Sequence, residues 1–147
     1  MAGQLVIGAL GSDRLIIDVQ GRAHPGSQDY WDGNWMTTPI SVRVGGFSAD
    51  VAASLRTDEL HRFNEGLKYI DQNLEGTAVL ASMESWIDLT VRCEPNGHLT
   101  VHGDLIENPA TDTHLEFEIN SLDQTMLRSW IAALNAIEKE FPVLGRP

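Results

Sequence analysis

SWIDLTVRCEPNGHLTVHGDL, residues 85–105, is the stretch whose reading decides the fold. Ile87, Leu89, Val91 and Cys93 alternate with Trp86, Asp88, Thr90 and Arg92; after Pro95-Asn96-Gly97, Leu99, Val101 and Leu105 fall on one side again. Strict period-two alternation across a Pro-Asn-Gly turn predicts a β-hairpin with one buried and one wet face, the mark of an antiparallel sheet covered on one side. Cys93 continues the apolar side, which reads as a small buried hydrophobe rather than a nucleophile. Trp86 is out of phase with that side and belongs at a sheet edge or against a ligand.

The same pattern extends in both directions. THLEFEIN (113–120) sets Leu115, Phe117 and Ile119 against Glu116 and Glu118, and TAVLASME (77–84) supplies a further strand. Near the N-terminus LVIGAL (5–10) and RLIIDVQ (14–20) read as a hairpin joined by Gly-Ser-Asp, and GRAHPGSQD (21–29) reads as loop. PISVRV (39–44), a Gly45-Gly46 turn and FSADVAASLRT make another antiparallel pair. The period changes at Leu60, Phe63, Leu67, Ile70 and Leu74, which share one face of a helix. Thr57 is its expected N-cap and Gly76 its expected stop. A second helix, capped by Asp123 and ended by Pro142, carries Leu127, Trp130, Ile131, Leu134, Ile137 and Phe141. The order strands, helix, strands, helix predicts an α+β fold: two layers, an antiparallel β-sheet with two amphipathic helices packed on one face.

At 147 residues the chain reads as a single domain, 1–147, large enough to bury roughly 68–70% of its unfolded surface without a staple. One cysteine allows no intrachain disulfide, and Met1–Leu10 has neither a basic leader nor a long apolar run. A cytoplasmic protein is expected. Acidic residues outnumber basic ones 21 to 10, for a net charge of −11. Between Arg92 and Arg128 there is no lysine or arginine, while Glu94, Asp104, Glu107, Asp112, Glu116, Glu118 and Asp123 all fall there. Such a surface repels phosphate backbones and anionic lipids, which excludes nucleic acid and membrane as first partners and suits a basic one.

No catalytic or cofactor chemistry emerges. His98 and His102 would lie roughly 13 Å apart along a strand, too far to chelate one ion. No serine occupies a G-x-S-x-G elbow, and Gly45-Gly46 lacks the flanks of a phosphate loop. Asp29 and Asp32 could pair as acid and base, but both fall among turn residues. No metal, no cofactor and no enzymatic activity is expected.

YWDGNW, residues 30–35, is the densest aromatic segment. Its Asp-Gly-Asn centre predicts a hairpin that pairs Trp35 with Tyr30 or with Trp31, according to loop length. Trp31 is the ring that could instead be displayed to a partner.

The chain resembles the WapI-like family of small bacterial immunity proteins, named for the antidote to a wall-associated toxin with tRNA nuclease activity. The resemblance lies in YWDGNWM, in TDELHRFNEGL from Thr57 with Leu74-Glu-Gly, in NGHLTVHGDL, in LEFEI, in DQTML at 123–127 and in FPVLG at 141–145. Met126 departs from the family's frequent DQTYL, and residues 1–20 carry none of its signature. The resemblance implies a non-catalytic protein that neutralises a cognate toxin domain by binding it. Nuclease toxins are commonly basic, so Asp104, Glu107, Asp112, Glu116 and Glu118 are the candidate partner-binding residues, together with Trp31. A solvated outer sheet face would carry the same glutamates. The alternative is an acidic secretion-chaperone-like adaptor, ordinarily a dimer. An enzyme acting on the inner sheet face would need polar residues where the periodicity places apolar ones.

Overall fold

The computed structural model describes residues 3–9 and 11–147. Leu10, which closes the first predicted strand, lies outside the described residues, as do Met1 and Ala2. The elements run β1 (Gly3–Gly8), β2 (Arg14–Val19), β3 (Gly21–Arg22), α1 (Tyr30–Gly33), β4 (Met36–Thr37), β5 (Ile40–Val44) and β6 (Phe47–Val51). Next come α2 (Thr57–Asn73), β7 (Gly76–Ala81), β8 (Ile87–Cys93), β9 (His98–Ile106), β10 (His114–Asp123), a 3-10 turn (Gln124–Met126) and α3 (Leu127–Glu140).

The α+β class follows the alternation. The strands divide between two four-stranded antiparallel sheets, ordered β1-β2-β5-β6 and β10-β9-β8-β7, with β3 and β4 pairing separately. The division has a local cause. Beyond β6 the chain bonds back to the β4 segment, with Thr38 N–H on Ala53 O and Met36 N–H on Leu55 O, and then enters α2. That helix carries the chain across the core, so β7 begins a new sheet.

The hairpin read from residues 85–105 forms as β8 and β9, with Ile87 opposite Leu105 and Cys93 opposite Leu99. Ile87, Leu89, Val91 and Cys93 are all buried, and burial pushes the Cys93 thiol up, with Glu94 adding to the shift. On the inner side α2 packs against β7 and α3, and α3 also packs against β1. Leu60, Phe63, Leu67 and Ile70 from α2 join Leu127, Trp130, Leu134 and Ile137 from α3 and the inner faces of both sheets in one hydrophobic cluster. Mid-helix glycine costs about 1 kcal/mol against alanine. Gly66 is explained by its place: a Cβ there would stand 2.8 Å from the Ala78 Cβ on β7. Gly103 likewise leaves room for the Phe117 ring, which a Cβ would meet at 2.3 Å.

Three helix boundaries differ from the sequence expectation. Asp123 caps the 3-10 turn by accepting the Thr125 N–H, and α3 starts after it with Met126 as its N-cap. The N-cap of α2 is Arg56, not Thr57, and its N–H donates to Glu59 Oε1 at 2.8 Å. The helix stops at Leu74, which takes the left-handed conformation (φ 56), before Gly76 opens β7. Trp130 is core as expected. Trp86 is half-buried against the core, and its Nε1 is a buried donor with no partner among the described residues.

Candidate functional site

YWDGNW is not a hairpin. Asp29 caps a single helical turn by accepting the Asp32 N–H at 3.1 Å, and Tyr30–Gly33 become α1. What holds this turn is Arg56, whose guanidinium is fully buried. Its Nη1 and Nη2 donate to the carbonyls of Trp31 and Tyr30, each at 2.6 Å, and its Nε donates to Asp58 Oδ1 at 3.0 Å. The rings of Tyr30, Trp31 and Trp35 lie 5.0, 5.6 and 5.0 Å from its centre. Burying a cation is costly unless its charge and donors are met; here a carboxylate, two carbonyls and three π-faces meet them.

Buried Asn34 ties the same turn to the rest of the chain. Its Oδ1 accepts from Thr57 Oγ1 at 2.7 Å and from the Leu144 N–H at 2.8 Å, and its Nδ2 donates to Tyr30 O and Leu144 O. Arg22 adds bonds to Gly33 O and Pro142 O. YWDGNW, the start of α2 and the FPVLG segment are therefore one structural unit. Trp31 is 53% exposed, edge-on to Tyr30 at 5.0 Å. It belongs to this unit.

Those carboxylates fall on the second sheet. Glu116 and Glu118 stand on the exposed side of β10 and Asp104 on the matching side of β9, while Glu107 and Asp112 are exposed in the β9–β10 connection. Register places Glu116 directly opposite Asp104 and Asp104 directly opposite Asp88. Three carboxylates thus form a row across three strands. Sequence reasoning missed Asp88, because it precedes Arg92 and so lies outside the cation-free span; only register brings it in. Like charges directly opposite one another destabilise a sheet by roughly 0.2–1 kcal/mol per pair.

Two histidines stand beside the row. His114 Nδ1 lies 2.7 Å from Asp104 Oδ1, and His102 sits 3.5 Å from Glu116 and 3.6 Å from Glu118. The bond to Asp104 and its charge hold the His114 imidazole above the ordinary histidine range, with Glu116 and Asp112 adding to the shift. A raised folded-state value means that this group favours folding below the ordinary imidazole pKa, and that the contribution is lost as pH rises through the raised value. An NMR titration should place the His114 midpoint above that of a free imidazole. In Asp104→Asn it should fall back; an unchanged midpoint would mean that Asp104 is not the cause.

No group of three or more histidine, cysteine, aspartate or glutamate side chains among the described residues is arranged to hold a metal, and no helix there is long and apolar enough to cross a membrane. The fold and the carboxylates on its second sheet define an α+β protein with a row of acidic side chains across one sheet face. The chain belongs to the immunity protein WapI-like family, whose model matches residues 6–142. Searches of curated proteins and of solved structures returned no match. Membership assigns an immunity function and, in general, a toxin as partner.

Proposed function

We propose that the protein neutralises a nuclease-type toxin by binding its basic domain directly, in the cytoplasm, without catalysing a reaction. The observation that carries this reading is the carboxylate row Glu116, Asp104 and Asp88, with Glu118 beside it and Glu107 and Asp112 at the hairpin's end. A nuclease must hold a phosphate backbone, so its substrate surface is rich in lysine and arginine. An anionic sheet face is complementary to that surface. It speeds capture by electrostatic steering and can cover the residues the substrate needs. The repulsion within the row, unfavourable in the free protein, is relieved when cations arrive.

The test is co-expression with nuclease-type toxin domains encoded in the same genome, scored for growth. The reading expects growth to be restored by this chain. Growth arrest that persists while both proteins are made and folded would overturn it.

A further inference from the structure

Among the described residues β7 bonds to β8 on one side and to no strand on the other. In an antiparallel ladder alternate residues turn their backbone groups toward and away from the neighbour. The bond from Ser82 N–H to Ile87 O continues the register in which Ala81 opposes Asp88, and so fixes the phase. Ala78 and Leu80 bond to β8; Thr77, Val79 and Ala81 present their N–H and C=O groups outward, where no partner meets them among the described residues. Such an edge is a template for another strand, and proteins ordinarily guard it with charge, proline or a covering element.

Two of the other three outer edges carry charge. On β10 the outward positions are His114, Glu116 and Glu118, by the phase of the Glu107 N–H to Thr113 O bond. On β6 they include Asp50; β1, like β7, has neither charge nor proline and is packed by a helix, but the carboxylate row lies on the other sheet. β7, Gly-Thr-Ala-Val-Leu-Ala, has neither charge nor proline. Val79 on it is 47% exposed, and Leu74 and Met83, which flank it in the chain, are 49% and 55% exposed.

We propose that the β7 edge takes up an extended, basic strand of the toxin partner, adding a fifth strand to the four-stranded sheet. This rests on the immunity reading above and names its mode of binding. Charge selects the occupant. The carboxylate row Glu116, Asp104, Asp88 crosses the sheet and meets β7 at Ala81. At about 4.8 Å between strands, a strand beyond β7 lies about 10 Å from Asp88, within reach of a lysine or arginine side chain. Glu75 and Glu84, both exposed, bracket β7. A second copy of this chain fits poorly: each carries a net charge of −11, and two-fold pairing about Val79 would bring Glu84 of one copy beside Glu75 of the other.

The probe is a synthetic acetylated peptide of about eight residues that alternates lysine with valine, read by amide hydrogen exchange in the isotope-labelled protein. The peptide should slow exchange at Thr77, Val79 and Ala81 by about tenfold or more, and its glutamate-for-lysine counterpart should not. Val79→Pro removes an outward N–H and no ladder bond, so the sheet should form and the protection should vanish. Val79→Lys, which leaves the backbone intact, should weaken it. Peptide-induced shifts over the outer face without protection at these three amides overturn the proposal, as does full protection in Val79→Pro. Co-expression separates the two readings. Rescue of growth by the wild type and by both variants alike overturns the edge as the toxin's site and leaves immunity standing. Failure of the wild type to rescue overturns immunity, and the toxin as occupant with it.

Discussion

Arg56→Ala should lower the free energy of unfolding by about 3–5 kcal/mol, the loss expected when one partner of a buried ion pair is removed. The truncation leaves the carbonyls of Tyr30 and Trp31 without their donors and takes from Asp58 its most buried partner. Tyr30 Oη and Arg62 still reach the other carboxylate oxygen of Asp58, at 3.1 and 3.3 Å, which limits the damage there. Three aromatic rings also lose the cation they enclose. For a chain of this length the melting temperature should fall by about 10 °C. Arg56→Lys keeps the charge but not the planar fork; three donors on a single nitrogen do not match acceptors spaced for Nε, Nη1 and Nη2, so most of the loss should remain. Urea denaturation followed by tryptophan fluorescence measures both variants, because Trp31 and Trp35 border the site. A loss below about 1 kcal/mol for Arg56→Ala would place the cohesion of this unit elsewhere.

Charge reversal at Glu116 and Glu118 should act on binding and spare the fold. Both side chains are exposed beside the His102 ring, and Glu116→Lys sets an opposite charge against Asp104, so Glu116→Lys with Glu118→Lys should cost less than about 0.5 kcal/mol. Association with the toxin domain should slow by on the order of 10- to 100-fold at low salt, because two of the face's carboxylates become cations. The difference from wild type should shrink as salt is added, since screening removes the same field from both. Stopped-flow association across a salt series checks this. An unchanged rate and salt slope would remove β10 from the interface.

How much of this was legible in the sequence depends on the range over which each feature is decided. The hairpin at residues 85–105 and the stripes of both long helices were readable because period and burial are set by adjacent residues. YWDGNW was misread because Asp-Gly is equally at home in a tight turn and in a capped helical turn. Asp29, one residue before the segment, supplies the cap, and Arg56, more than twenty residues later, supplies the charge its carbonyls and rings enclose. Nothing local reports that partnership. The available signals were an arginine interrupting the apolar alternation after Leu55, with Asp58 two residues on. The same limit applies to the candidate site. The glutamates of β10 were visible as the wet half of an alternation, whereas the row through Asp104 to Asp88 exists only once two registers are known. The open edge of β7 also depends on strand order, which alternation does not encode.

The most direct measurement is hydrogen exchange of the isotope-labelled protein alone and in complex with the toxin domain. The account predicts that protection gained on binding falls on the outer face of the second sheet, at Asp88, Asp104, Glu116 and Glu118 and along β7. The unit around Arg56 should show no gain. Protection confined to the first sheet or to α1, with the second sheet unchanged, would contradict it.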